Sequence, residues 1–155
     1  MNTESSYCCN VLGSWEQSKA YSRDIIQDFN HLVAGYMGWN MLLDTKGGPR
    51  WCGGKADAPI TVADNHQEYY KTAAFYTLGH FSKFIVPDSV KIGLKEDGQH
   101  RDVASTAFQR PDGGIVVVIY NESDDNVELT IKEGNNHLTH NLKPHSLQTY
   151  IYYNN

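Results

Sequence analysis

The sequence predicts two architectures in one chain: an α/β region in the first half and an all-β region in the second. Apolar residues recur at helical spacing up to Ile85, and from Ser89 onwards they alternate with polar residues. With 155 residues and 40% hydrophobic composition, the chain can form one domain or parts of two. It is too short for a complete eight-stranded α/β barrel, which needs roughly 200 to 250 residues.

The first predicted element is a helix over residues 18–35. Its apolar positions show the three-and-four spacing of a one-sided stripe, and they are Tyr21, Ile25, Phe29, Leu32 and Val33. Gly35 is its predicted C-cap. The apolar run at residues 36–43 follows directly and predicts a strand. A helix that leads into a fully apolar strand indicates the α-to-β step of a parallel sheet.

Residues 44–67 are rich in glycine, proline and aspartate, and they predict a loop excursion with one short strand at residues 60–62. Residues 68–85 return to helical spacing and predict a second helix, which ends before Pro87. Six short strands with alternating patterns follow, at residues 90–94, 103–109, 115–120, 127–131, 138–142 and 147–153. They predict an antiparallel, immunoglobulin-like sandwich that is about one or two strands short of closure. We therefore expect an edge that is paired from elsewhere or exposed.

Composition excludes several classes of function. The net charge of −5 leaves no basic stripe for nucleic acid. No apolar run approaches the ~20 residues of a membrane span, and the first residues contain no signal-peptide pattern. Cys8, Cys9 and Cys52 fit neither a zinc site nor a disulfide framework, so we interpret them as ordinary small side chains. Asn121 begins the one Asn-x-Ser/Thr sequon, in a predicted polar turn that a glycan could reach.

Several blocks resemble the glucocerebrosidase family, in the same order along the chain. They are LGSW at 12–15, YSRDII at 21–26, GWN at 38–40, GGPRW at 47–51, LGHFSKFI at 78–85, PDG at 111–113 and VVV at 116–118. Members of this family are retaining β-glucosidases of glycoside hydrolase family thirty. They cleave glucose from glucosylceramide in the lysosome, on a TIM barrel fused to a β-sandwich.

The resemblance implies that this chain holds the last strands and helices of a (β/α)8 TIM barrel followed by the sandwich, both incomplete. Residues 1–43 would be the C-terminal part of the catalytic barrel and residues 44–67 a loop and short-strand excursion. Residues 68–86 would be the last barrel helix, and residues 87–155 the β-sandwich. No cofactor and no metal site is expected.

Two site residues follow from the resemblance. The family's nucleophile is a Glu that follows a small residue shortly before the LGSW block, and Glu4 fits this description. Trp39 resembles the aromatic residue that lines the glucose pocket, and a Trp face suits the C–H face of a pyranose. Without the resemblance, Glu4 would be interpreted as a solvated carboxylate and Trp39 as a core residue.

The second catalytic carboxyl group is not found. In the family it is a Glu after Asn on a much earlier strand, whereas the one Asn-Glu pair here, Asn121-Glu122, falls in the predicted polar turn. We interpret the other carboxylates as helix-start and surface charges, namely Glu16, Asp24, Asp28 and Asp57. His80 is interpreted as a structural, hydrogen-bonded histidine. At residues 53–55 the sequence Gly-Gly-Lys lacks the substrate-contacting side chains that the family places there.

Two hypotheses about function stay open. The first is the C-terminal portion of a glucosylceramide-hydrolysing β-glucosidase, inactive as this chain alone. The resemblance then implies a lysosomal location, a glycolipid substrate, a lipid-presenting activator protein and a membrane surface as partners. The second is a non-catalytic relative whose sandwich is a binding module. It is motivated by Gly53, Gly54 and Lys55 and by the aromatic tail with Tyr150, Tyr152 and Tyr153.

Overall fold

The computed structural model describes residues 1–8, 12–51, 53, 55–98 and 101–153. The chain forms two compact units, Met1–Lys83 and Phe84–Asn155. The elements of the first unit are β1 (Asn2–Ser5), α1 (Glu16–Asn30), β2 (Tyr36–Gly38), β3 (Leu42–Asp44), β4 (Ile60–Val62), β5 (Tyr69–Lys71) and α2 (Ala73–Ser82). Those of the second unit are β6 (Val90–Ile92), β7 (Val103–Gln109), β8 (Gly114–Asn121), β9 (Val127–Glu133), β10 (Asn136–Leu142) and β11 (Ser146–Tyr153).

The first unit begins with a βαβ unit, in which β1 and β2 pair in parallel and α1 connects them. This confirms the predicted α-to-β step, although β1 itself was not predicted. The prediction of one strand over residues 36–43 was wrong, because β2 pairs with β1 whereas β3 pairs with β4 in a second sheet. Apolar character is the same on both sides of this change of partner, so the sequence pattern does not reveal it.

Helix α1 buries the first part of the predicted stripe, with Tyr21 and Ile25 at 0% and 1% exposure, whereas Leu32 lies beyond the helix and is 79% exposed. Its predicted end at Gly35 was wrong. The helix ends at Asn30 with His31 as C-cap, and Leu32 follows with a positive φ of 63°. The Leu32 and Val33 N–H groups donate to the carbonyls of Phe29 and Asp28, which is a Schellman motif with Leu in the position usually taken by Gly.

The second sheet of this unit has the order β3-β4-β5, and its strand β4 lies where a strand was predicted. The helix predicted over residues 68–85 is shorter, because Tyr69–Lys71 pairs antiparallel with β4 as strand β5. Helix α2 begins at Ala73 and packs against α1 through an edge-on contact of Phe29 and Phe81, whose ring centroids are 6.1 Å apart. Buried Ser18 and Thr77 share a hydrogen bond between the two helices.

The second unit is a sandwich of a four-stranded sheet, β11-β8-β7-β6, and a two-stranded sheet, β10-β9. All its strand pairs are antiparallel, and all six predicted strands are present. Buried side chains from both sheets form its core: Ala107, Ile115, Val117, Ile119, Val127 and Leu142. Every residue of the central strand β8 is buried, so both of its faces are covered.

Asn121 is the last residue of β8 and is fully buried, so its placement in a polar turn accessible to a glycan was wrong. Its side-chain Nδ2 donates to the carbonyls of Asp125 and Lys143 at 2.9 and 3.0 Å. Its Oδ1 accepts from the N–H and the hydroxyl of Ser123 at 3.1 and 2.7 Å. The amide therefore holds the turn after β8 against the turn before β11, and it has no room for a glycan.

Two other sequence observations concern cysteines and helix length. Cys8 is exposed, while Cys9 and Cys52 lie outside the described residues. Among the residues that the structure describes, no helix combines the length and the apolar character that crossing a bilayer requires.

Candidate active site

Glu4 lies near the C-terminal end of β1, on the side of the strand that faces away from α1. Its neighbour Ser5 faces the helix, because the Ser5 hydroxyl donates a 3.0 Å hydrogen bond to Asp24 Oδ2. Asn2 and Ser5 are partly buried towards α1, whereas Thr3 and Glu4 between them are exposed, so Glu4 projects from the other face. We call this side of the β1–β2 pair, opposite α1, the open face.

An irregularity in the pairing of β1 affects the direction of the Glu4 side chain. Asn2 pairs with Tyr36 and Ser5 pairs with Gly38, so three residue steps along β1 match two along β2. One extra residue in a strand is a β-bulge, which redirects side chains and is frequent next to active sites. Asn2 and Ser5 would lie on opposite faces of a regular strand, yet both bond to α1, with Asn2 Nδ2 donating to Asp28 at 2.7 Å.

Trp39 follows β2 directly and lies beside the end of β1. Its backbone N–H donates to the Ser5 carbonyl at 2.7 Å, which extends the parallel ladder by one step. A Cβ on the preceding Gly38 would lie 3.8 Å from the Tyr21 hydroxyl of α1, so Gly38 faces the helix. Trp39 therefore points to the open face, where it is 53% exposed. Glu4 and Trp39 thus share one face at the C-terminal ends of neighbouring parallel strands, where α/β barrels carry their catalytic groups.

The helix side of the same strands contains two carboxylates that sequence reasoning misassigned. Asp24 and Asp28 were interpreted as surface charges, and this was wrong. Asp24 accepts hydrogen bonds from Ser5 and from the Tyr36 hydroxyl, at 3.0 and 2.9 Å, and Asp28 accepts from the start of β1. The missed signal is their spacing, since Tyr21, Asp24 and Asp28 share the helix face that carries the apolar stripe. Glu16, by contrast, lies in the first turn of α1 as expected.

Three tyrosines surround the Asp24 carboxylate. The ring of Tyr21 lies 4.7 Å from that of Tyr7 and 6.2 Å from that of Tyr36, both in edge-on contacts. Burial raises the pKa of Tyr21 to about 12. Burial also raises the pKa of Tyr36, and burial together with the Asp24 charge raises that of Tyr7. All three hydroxyls therefore stay protonated at neutral pH, and that of Tyr36 donates to Asp24 Oδ2.

A cavity of about 160 Å³ lies among the loops of the first unit. Its lining consists of residues 12–14, 44–47 and 55–58 with Gln17, Thr61 and Thr72, and it includes neither Glu4 nor Trp39. The Asp44 carboxylate at this cavity accepts the N–H groups of Lys46 and Gly48, both at 2.8 Å. These bonds hold the pKa of Asp44 below its usual range. Asp44 thus organises the loop and is already committed to backbone donors.

The remaining candidates lie elsewhere. Gly53 and Lys55 are exposed, and Gly54 is outside the described residues. His80 lies on α2, where burial lowers its pKa, which keeps the ring neutral at neutral pH. In the described part of the chain, no three His, Cys, Asp or Glu side chains are grouped closely enough to hold a metal ion.

Known proteins match both units. Residues 3–85 match the Glycosyl hydrolase family 30 TIM-barrel domain, and residues 88–150 match the Glycosyl hydrolase family 30 beta sandwich domain. Lysosomal acid glucosylceramidase of Mus musculus is 38% identical over 142 residues, which cover 91% of this chain and 27% of that protein.

Solved structures share the fold. SrfJ from Salmonella typhimurium matches with a TM-score of 0.90 at 23% identity, over 99% of this chain and 34% of its own. The catalytic domain of GH30 xylanase C from Talaromyces cellulolyticus matches with a TM-score of 0.80 at 16% identity, over 96% of this chain and 39% of its own. The chain spans only part of the length of these relatives, 27% in the case of the mouse protein. With both matches in order along the sequence, the chain belongs to glycosyl hydrolase family 30 and contains part of its TIM barrel followed by its β-sandwich.

Proposed function

We propose that this chain is the C-terminal part of a retaining β-glucosidase that hydrolyses glucosylceramide to glucose and ceramide. The main support is the placement of Glu4 and Trp39 on one face, at the C-terminal ends of neighbouring parallel strands. The name of the mouse relative, lysosomal acid glucosylceramidase, supports the substrate. The longer protein that this proposal requires is called the full-length enzyme below.

In this proposal Glu4 is the nucleophile. Its carboxylate attacks the anomeric carbon of glucose, the glycosidic C–O bond breaks, and a covalent glucosyl ester forms. A second carboxyl group, about 5 to 5.5 Å away, gives its proton to the leaving oxygen, so ceramide departs with its hydroxyl. The same group then takes a proton from water, which attacks the ester and releases glucose with retained configuration.

The second carboxyl group comes from the upstream part of the full-length enzyme. The one Asn-Glu pair of this chain, Asn121-Glu122, lies at the end of β8 in the second unit, and its Asn is fully buried. General acid catalysis contributes about 10²- to 10⁴-fold to such reactions. The 155-residue chain alone is therefore expected to have no measurable β-glucosidase activity.

Trp39 binds the sugar in this proposal. Its indole is half-exposed on the open face, so its flat apolar surface is available to the C–H face of glucose and its N–H to a hydroxyl. Met37, two residues earlier on β2, is also 53% exposed and adds apolar surface on the same face.

The location and the partners belong to the same proposal. The full-length enzyme would act in the lysosome on a glycolipid at a membrane surface, with a lipid-presenting activator protein. The name of the mouse relative supports the location, and the family resemblance supports the partners.

The alternative, a sandwich that acts as a binding module, has less support. Tyr150 and Tyr152 pack against the sandwich core, so they contribute to folding. Tyr153 is exposed, and its hydroxyl donates to Asp112 at 3.2 Å. The aromatic tail is therefore not a continuous platform for a glycan or a lipid.

Peptide mapping of the full-length enzyme tests the proposal. A mechanism-based epoxide inhibitor is expected to label Glu4. Glu4→Gln is expected to lower kcat/KM by about 10⁴-fold or more, the order of loss when an essential nucleophile is removed. Glu68→Gln is the control, since Glu68 is also an exposed carboxylate of the first unit, and it should preserve both turnover and labelling.

Three results would overturn the proposal. They are a label on another carboxylate, an active Glu4→Gln enzyme, and β-glucosidase activity of the isolated chain that Glu4→Gln abolishes. A transcript without an in-frame upstream reading frame that encodes an Asn-Glu strand would also contradict it.

A further inference from the structure

One oxygen atom of Asp24 joins the two strands that carry the candidate site. Asp24 Oδ2 accepts the Ser5 hydroxyl of β1 at 3.0 Å and the Tyr36 hydroxyl of β2 at 2.9 Å. A carboxylate acceptor makes both hydrogen bonds stronger than bonds between neutral groups. We call these three side chains the Asp24 bridge.

The bridge is adjacent in sequence to the residues with proposed roles in the reaction. Ser5 follows Glu4 directly, and the Ser5 carbonyl accepts the N–H of Trp39. If the Ser5 side chain leaves the helix, the backbone at Ser5 loses a side-chain restraint. The peptide that follows Glu4 and the Ser5 carbonyl that accepts the Trp39 N–H can then shift. The side-chain bond on one face therefore restrains the direction of both groups on the other.

The bulge makes this restraint necessary. Because β1 has one residue more than β2 between their paired positions, backbone pairing alone does not keep Ser5 on the helix side. Two side-chain bonds to α1, from Asn2 to Asp28 and from Ser5 to Asp24, fix the two ends of the bulged segment. Of these two, the Asp24 bond is at the end where Glu4 and Trp39 lie.

The surroundings keep the bridge intact at neutral pH. Tyr36 is half-buried against Tyr21, and its raised pKa keeps its hydroxyl protonated. Asp24 is itself partly buried on α1, so its hydrogen bonds are only partly exposed to water.

We propose that Asp24 is a positioning residue that orients Glu4 and Trp39 through Ser5 and Tyr36, an inference that rests on the proposed function of these two residues. Asp24 lies on the helix side and touches no substrate. Its effect is on the geometry in which the Glu4 carboxylate attacks the anomeric carbon. Misplacement of a nucleophile by about 1 Å can cost about 100-fold in rate, whereas sugar binding depends on many contacts along the pocket.

The expected signature is a loss of kcat with little change in KM. In the full-length enzyme, Asp24→Ala should lower kcat by about 10- to 100-fold and slow covalent labelling of Glu4 by the epoxide inhibitor to a similar extent. KM should stay within about threefold. Asp24→Asn retains an acceptor oxygen of the same size and reach, and it should recover most of the lost kcat.

Asp28→Ala is the matched control. It removes a carboxylate acceptor that bonds the side chain of Asn2, between the same helix and strand β1, one helical turn further along α1. It should destabilise the protein about as much as Asp24→Ala but leave kcat and the labelling rate within about threefold of the unmodified enzyme. Thermal melts of both variants show whether the stability losses match.

A second route covers the case in which Asp24→Ala fails to fold. The double variant Ser5→Ala, Tyr36→Phe keeps Asp24 and removes the two hydroxyl donors of the bridge, so it should show the same selective loss of kcat. The losses of kcat in the single variants Ser5→Ala and Tyr36→Phe should not be additive, because the two hydroxyls share one acceptor.

The outcomes separate this inference from the proposed function. If Glu4→Gln retains activity, the proposed function fails and the inference with it. Suppose that Glu4→Gln is inactive. If Asp24→Ala and the double variant then behave like Asp28→Ala, or if their KM rises as much as their kcat falls, the positioning role alone is wrong.

Discussion

The strand β8 and the strand pair β1–β2 show how differently the two units meet their hydrogen-bonding needs. Every residue of β8 is buried, and β8 pairs with both β7 and β11. The β1–β2 pair has only α1 on one side, no third strand within the described residues, and an open face with Glu4, Met37 and Trp39.

The physical reason is the type of connection. Antiparallel strands can be joined by short turns, as in the pairs β7–β8 and β9–β10, and β11 returns to β8 after the β9–β10 hairpin. Parallel strands need a long crossover for each new partner, so a parallel sheet is completed only by distant segments. Stability and candidate chemistry are thus separated in this chain: the two sheets of the sandwich enclose a buried core, and the candidate site is on the two-stranded β1–β2 sheet.

The largest expected effect is a difference in hydrogen exchange between the two units of the isolated 155-residue chain. Amides of β7, β8 and β11 should exchange at least about 10³-fold more slowly than those of β1 and β2, since core strands open only with the global unfolding equilibrium. The exposed apolar side chains of the first unit, among them Met37, Trp39 and Met41, should bind a hydrophobic dye. Strong protection across residues 21–43 in a monomeric sample would show that the first unit completes its own fold.

A core substitution in the sandwich is expected to have the next largest effect. Ile119 is 2% exposed between the two sheets, and Ile119→Ala should lower the free energy of unfolding by about 2 to 5 kcal/mol. Ile151→Ala is the control, because Ile151 is 36% exposed on β11, and it should cost less than about 1 kcal/mol. Urea unfolding followed by circular dichroism measures both, and equal losses would mean that the sandwich core is not where the structure places it.

Asn121→Asp should cause a loss of stability of intermediate size. It replaces the Nδ2 donor with an oxygen that faces the carbonyls of Asp125 and Lys143, and it should destabilise the chain by about 1 to 3 kcal/mol. Asn136→Asp, at an exposed position of β10, should change stability by less than about 0.5 kcal/mol. Expression through a secretory pathway adds a second readout, since folded protein should be free of glycan at Asn121, and a folded glycosylated form would contradict the burial of this amide.

The smallest expected effect is a loss of stability at high pH. Burial and the neighbouring Glu133 raise the pKa of Tyr152 to about 12 from its usual 10. Because the folded pKa is raised, this contribution is fully present below pH 10 and is lost as the pH rises towards about 12. Tyr152→Phe should flatten the dependence of the urea midpoint on pH in this window, and an unchanged slope would show that Tyr152 titrates normally.

The predictions from sequence succeeded where a pattern is repeated along one element. The stripe of α1 and the six sandwich strands were predicted, because residues 21–29 and 90–153 carry regular spacing over several turns or pairs. The predictions failed at the ends and at changes of partner. Leu32 rather than Gly35 follows the C-cap of α1, and Tyr69–Lys71 is a strand despite helical spacing, since pairing with β4 outweighs local preference.

The sequence alone determined the order of architectures, the family resemblance and the two candidate residues, Glu4 and Trp39. These depend on local patterns and on matching blocks, which a linear sequence contains in full. Only the tertiary structure showed the bulge in β1, the shared face of the two candidates, and Asp24 beneath them as a hydrogen-bond acceptor. These features arise from hydrogen bonds between residues 12 to 34 positions apart, and no spacing rule within a single helix or strand specifies such partners.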